Sequence, residues 1–273
     1  MNSDNKQPTT NGEEAESTTI ESQKPSAKSA SKLLPLPDKR LPETEELLKS
    51  GVHFGHQTGR WNPKAGAYIY GERNGVHIIN LRITVKKLEG ALDKIKEIIE
   101  GNGKILFVGT KRQVRALVEE AAKITGMPYV TERWLGGTFT NFSTISRRIQ
   151  KLLDIENKFQ EGKLGHYTKK EQMKFRKEIK DFEKNMGGIK ALAELPGAIF
   201  VVGAKEEDTA ISEARKTGVK IIAMADTNVD PKTMDYPIPA NDDAVKSVQM
   251  MLKYVAREIL SIKSEDRIVE KNS

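Results

Sequence analysis

The chain has 273 residues, 37% hydrophobic and 30% charged, with no cysteine, a formal charge of +7 and a mean hydropathy of −0.55. No run of about 18 apolar residues offers a membrane span, and a chain without cysteine excludes a disulfide framework and thiolate metal sites. A pI near 9.3 directs attention to polyanions, because lysine and arginine placed beside phosphates release condensed counterions.

The opening MNSDNKQPTTNGEEAESTTI has neither the basic start nor the apolar stretch of a secretory signal, which leads to the expectation of a cytoplasmic protein. Residues 1–42 are rich in Ser, Thr, Asn, Lys, Glu and Pro, carry equal numbers of acids and bases, and lack apolar periodicity; they are expected to be a disordered arm. Order is predicted to begin with a short helix over Glu43–Ser50, stopped by Gly51. A long Gly-rich segment follows, GVHFGHQTGRWNPKAGAYIYG, expected as a loop docked on a sheet. A strand is predicted near His77–Leu81, and a helix capped by Thr84 carries Val85, Leu88, Leu92, Ile95 and Ile99 at helical spacing.

KILFVGT (104–110) is a continuous apolar run, the pattern of a strand buried on both faces. A helix with Val114, Leu117, Val118, Ala121 and Ile124 follows, then a strand near Tyr129–Thr131. The later half repeats this grammar: a buried strand GAIFVVG, a helix EEDTAISEARKTG, a buried strand VKIIAMAD, and a last helix from Asn241 or Asp242 to about Ser261. Alternation of apolar strands with helices predicts an α/β fold, a parallel sheet flanked by helices, over residues 43–262, with a flexible tail at 263–273. Residues 143–186 interrupt it. Ile145, Ile149, Leu152, Ile155 and Phe159, answered by Phe175, Ile179, Phe182 and Met186, have the three-and-four spacing of an antiparallel coiled-coil hairpin around GKLGHY. Its twelve Lys and Arg face seven Asp and Glu, a net +5.

Catalytic and cofactor chemistry find little footing. HFGH at His53 and His56 lacks the further ligands a zinc ion needs, so no metal is expected there and the two histidines are assigned as a packed or hydrogen-bonded pair of supports. FVGTKRQV could present Gly109, Thr110, Lys111 and Arg112 to a phosphate, but there is no phosphate-binding loop consensus and no dinucleotide fingerprint after a strand. Asp226, Asp230, Asp242 and Asp243 near the end of the last predicted strand offer catalytic carboxylates or a magnesium site as one reading, against which Asx residues in DTNVDP and PANDDA are expected as turn formers and helix caps. No nucleophile elbow occurs. A nucleotide- or phosphosugar-binding enzyme and a free RNA chaperone stand as rival classes.

The basic and aromatic material is more telling. Arg60, Lys64, Arg73 and Arg82 are interleaved with Trp61, Tyr68 and Tyr70 against a single acid, Glu72, within Gly51–Arg82. Guanidinium groups pair with phosphate through two N–H groups, and aromatic faces stack on bases. Core packing is the competing role for Trp61 and for Trp134. The candidate RNA contacts are therefore Arg60, Trp61, Lys64, Arg73, Arg82, Lys111 and Arg112, with Arg147, Arg148, Lys151, Lys169, Lys170 and Lys174 on the hairpin.

LLKSGVHFGHQTGRWNPKAGAYIYGERNGVHIINL, ILFVGTKRQ, RWLGGTFTNFSTI, GGIKALAELPGAIFVVGA, and ADTNVDP followed by IPANDDA resemble, in the same order, blocks of the bacterial form of the second small-subunit ribosomal protein family. The likeness spans about Thr44 to Ile262. It implies a flavodoxin-like domain with a coiled-coil insertion and no catalysis, cofactor or small-molecule substrate. It also implies contact with small-subunit ribosomal RNA and with other small-subunit proteins, the largest among them where an organism has it. Gly203 and Lys220 depart from the family pattern, the first standing where an acid is common, and the 42-residue arm is an addition to the shared core.

Overall fold

A computed structural model describes residues 34–161 and 168–272. Five strands form a parallel sheet: β4 (Ile105–Val108), β5 (Tyr129–Val130), β6 (Ala198–Val201), β7 (Lys220–Ala225) and β8 (Tyr236–Pro239), numbered after three strands of a smaller sheet met earlier in the chain. Their order is β5-β4-β6-β7-β8, every pairing parallel. Renumbered from β4, this is 2-1-3-4-5, the doubly wound order whose switch point lies between the first and third strands.

Alternation along each strand sends side chains to opposite faces, and both faces are dry. Ile105, Phe107, Phe200, Ile222, Met224 and Ile238 join one core with α2 (Leu81–Glu100), α3 (Arg115–Thr125) and α7 (Val245–Asn272). Leu106, Val108, Ile199, Val201, Ile221 and Ala223 join a second core beneath α6 (Asp208–Thr217) and the roots of α4 (Phe142–Gln160) and α5 (Lys169–Met186). Gly126 and Gly218 end α3 and α6 at φ +65° and +77°, a left-handed turn that only glycine takes without strain.

Several expectations shift. Asn80, not Thr84, caps α2 by accepting from the Arg82 N–H at 3.1 Å; Thr84 is buried and donates its hydroxyl to Pro239 O at 2.6 Å. β8 is absent from the expected elements, because Pro237 and Pro239 argue against a central strand; β8 is the sheet's last strand, where only one side needs ladder bonds. The Asn241 side chain accepts from the N–H groups of Asp243 and Ala244, so α7 opens at Val245, three or four residues later than expected, and continues through the stretch expected as a tail. Of the anticipated arm, residues 34–42 are docked. Leu34 is buried in the first core, and Arg40 bonds Asp93 on α2 and the buried Glu258 on α7. No helix among the described residues is long and apolar enough to cross a membrane.

α4 and α5 lie against each other in opposite senses. Arg176 sits 5.7 Å over the Phe159 ring, and Leu152 and Ile155 share a groove with Glu178 and Phe182. Ile145, Ile149, Phe182 and Met186 root the pair in the second core. The connecting GKLGHY lies outside the described residues.

Candidate nucleic-acid interface

The Gly-rich segment after α1 (Thr44–Lys49) is not a plain loop. With the strand expected near His77 it builds the antiparallel sheet β1-β3-β2 from β1 (Phe54–Gln57), β2 (Ile69–Arg73) and β3 (Val76–Ile79). Asn74 and Gly75 take φ of 52° and 75°, two successive left-handed residues of a hairpin turn with matching twist. The Asn-Gly pair between β-prone runs is the sequence signal for it. This sheet is stitched to the loop after β7: His56 N–H donates to Thr227 Oγ1 at 2.8 Å, Asn62 N–H donates to Thr227 O at 2.7 Å, and Lys64 Nζ pairs with Asp230 at 2.5 Å. At Gly55 an added Cβ would stand 2.6 Å from Thr227 Cγ2, so the close approach requires glycine.

At the C-terminal ends of β4, β6 and β7 the cations and acids are locked together. Lys111 Nζ lies 2.7 Å from Asp242, 2.8 Å from Asp243 and 3.4 Å from Glu206. Burial works against its charge, yet these carboxylates hold its pKa well above the usual lysine range. Asp242 is fully buried, and that burial pushes its carboxyl up to about 6 despite Lys111. His56 Nδ1 is 3.0 Å from Asp226, whose hydrogen bond holds the imidazole proton above the ordinary histidine pKa, and Nε2 is 3.5 Å from Asp243. The Thr110 N–H donates to buried Glu207 at 2.9 Å. The crevice where an open α/β sheet receives a ligand is thus crossed by the protein's own ion pairs and rimmed by acids that repel phosphate. Gly203, at φ +84°, makes room for the lysine stem: a Cβ there would stand 2.9 Å from Lys111 Cε.

Lys111, expected as a phosphate contact, has its charge engaged by three carboxylates of its own fold, the geometry of an internal counter-ion. Asp226, Asp242 and Asp243 are likewise more than turn formers; His56, Asp226 and Asp243 are the one grouping among the described residues whose ligand atoms, all within 4.8 Å, could hold a cation. His56 is the hydrogen-bonded member of the histidine pair, whereas His53 stacks on Phe54 at 4.0 Å. The sequence could not show this, because His56 and Asp226 lie far apart along it, on β1 and just after β7.

The other candidates fall into two groups. Lys64 is half engaged by Asp230. Trp61 is 39% exposed, one side of its ring against buried His77 at 5.0 Å, while Trp134 is buried in the core. Arg60 lies on the rim of a cleft of about 300 Å³ with His56, Asp226 and Asp243, and makes no ion pair among the described residues. Arg73 at the end of β2, Arg82 in the first turn of α2, and Arg112 beside Lys111 are also exposed and free of carboxylate partners among the described residues. So are Arg148 and Lys151 on α4, and Lys169, Lys170 and Lys174 on α5. Arg147 turns back to Ser143 O and Thr144 Oγ1.

A family model described as ribosomal protein S2 matches residues 47–261. The small ribosomal subunit protein uS2 of Fusobacterium nucleatum subsp. nucleatum is 48% identical over 217 residues, covering 79% of this chain and 88% of that protein. With a doubly wound sheet, a basic two-helix insertion in its crossover and ion pairs at its strand ends, the chain belongs to the ribosomal protein S2 family of structural, non-enzymatic proteins of the small ribosomal subunit.

Proposed function

We propose that this protein binds small-subunit ribosomal RNA through the cations that its own fold leaves unpaired. The observation that carries the reading is a division of labour among basic side chains. Lys111, Arg115 and Lys190 are tied to carboxylates within the body, with Lys64 partly so. Arg60, Arg73, Arg82, Arg112, Arg148, Lys151, Lys169, Lys170 and Lys174 are exposed and unpaired among the described residues. Unpaired guanidinium and ammonium groups offer their full charge to phosphate, while half-exposed Trp61 offers an aromatic face. The protein acts as a scaffold in the cytoplasmic ribosome and makes or breaks no bonds. Family membership supports contact with neighbouring small-subunit proteins, the largest included.

Arg60→Glu combined with Arg148→Glu and Lys151→Glu tests the reading. Gradient-purified small subunits from cells carrying the triple variant should contain less of it than of wild type in competition. Equal occupancy would refute the assignment. A rival nucleotide-binding role fits poorly with the acid-rimmed crevice, and equilibrium dialysis showing saturable micromolar nucleotide binding would revive it.

A further inference from the structure

One buried carboxylate gathers the whole approach to the hairpin. Glu213, on α6 and 7% exposed, accepts from Gly137 N–H at 2.7 Å and Trp134 Nε1–H at 3.3 Å through Oε1. Its Oε2 accepts from Phe139 N–H at 2.9 Å, Thr140 N–H at 3.2 Å and the Thr140 hydroxyl at 3.3 Å. Burial alone would raise this carboxyl's pKa, yet the backbone N–H groups hold it below its ordinary value. The five donors all come from the irregular segment between β5 and α4. Gly137, at φ +89°, takes the left-handed turn within it, and Phe139 packs edge-on to Trp134 at 5.0 Å. Two residues after Thr140, α4 begins at Phe142. A second tie lies further along the pair, where Lys190 Nζ reaches Glu156 of α4 at 3.0 Å and Glu183 of α5 at 2.9 Å.

Apolar packing at the root of α4 and α5 is non-directional and tolerates small rotations, whereas five hydrogen bonds to one carboxylate fix a direction. The lever is long. At 1.5 Å per residue, the 19-residue α4 extends about 28 Å, so a tilt of about 10° at its root displaces its far end by about 5 Å. That exceeds the reach of a hydrogen bond of about 3 Å. We propose that Glu213 is a positioning residue that aims the two-helix insertion and so sets which phosphates Lys169, Lys170 and Lys174 can meet. This inference rests on the RNA-binding reading above.

The absence of native cysteine makes two engineered thiols the only points of labelling. Lys87→Cys on α2 and Met173→Cys on α5, both at exposed positions, can carry spin labels in the free full-length protein. Glu213→Gln keeps the side-chain volume but turns an amide N–H₂ toward N–H donors; the distance distribution between the two labels should broaden by several ångströms while cooperative unfolding persists. In assembled subunits, an iron chelate carried on α5 by Met173→Cys should lose or redistribute its rRNA cleavages when Glu213→Gln is added, whereas one carried on α2 by Lys87→Cys should cut as before. Loss of fold alone would move both patterns. Should Glu213→Gln fail to fold, Trp134→Phe removes one donor and should broaden the distribution less. An unchanged distribution in whichever folded variant is measured overturns the positioning role. An α5 chelate that cuts no rRNA when Glu213 is intact overturns the RNA reading and the proposed purpose of the mount, whatever the distances show.

Discussion

Replacing Lys111 by Met separates an internal counter-ion from an RNA contact. Lys111 is the cation nearest buried Asp242, whose carboxyl is already raised from 3.8 to about 6. A carboxyl raised in the folded state stabilises most when protonated, below its unfolded pKa, and loses that contribution as pH rises through the folded value. In the wild type the loss of about 3 kcal/mol is complete near pH 6, at 1.36 kcal/mol per pH unit. Without Lys111 the carboxyl climbs further and Asp242 stays protonated, so stability keeps falling with pH. By about pH 7.5 the variant lies about 2 kcal/mol further below wild type than at about pH 5.5, where Asp242 is largely protonated in both. Asp243 and Glu206 are exposed and add less than about 1 kcal/mol. His56, whose proton Asp226 and, in part, Asp242 and Asp243 hold above the ordinary histidine range, belongs to the same cluster, so both proteins carry His56→Gln for the comparison. Urea unfolding followed by tryptophan fluorescence at the two pH values measures the difference. A destabilisation equal at both, or none at either, refutes the reasoning. The salt dependence of rRNA binding gives the converse: Lys111→Met should leave the slope of log K against log salt unchanged, whereas Arg112→Ala should reduce it by about one.

Arg40→Ala leaves the buried carboxylate of Glu258 without its closest cation and should lower stability by about 1–3 kcal/mol, read as a fall in unfolding temperature with RNA binding intact in the remaining folded protein. Gly188→Ala places a Cβ 2.2 Å from Tyr129 O, and the displacement of β5 should cost about 1–3 kcal/mol in denaturant titrations.

Local pattern made much of this protein legible. Leu106, Phe107 and Val108 belong to an unbroken apolar run of the kind found in a strand covered on both faces; Leu88, Leu92, Ile95 and Ile99 recur at helical spacing; Gly126 and Gly218 stand where helices stop. Each signal lies within one element and its immediate flanks, and the ordered family blocks joined them into a family. The small sheet lies within reach of the same reasoning, since Asn74-Gly75 is a hairpin-turn pair between two β-prone runs.

What the amino-acid order could not assign was the partner of each charge. Lys111 and Arg112 are adjacent and chemically alike, yet one faces Asp242 from 131 positions away and the other faces solvent. Glu213 looks like any exposed helical acid until the fold carries the 134–140 segment over it. Periodicity reports which side of an element is buried, because burial repeats with the geometry of one helix or strand. A salt bridge or a carboxylate clamp repeats with nothing; it forms where two distant stretches meet, and only the tertiary structure decides that.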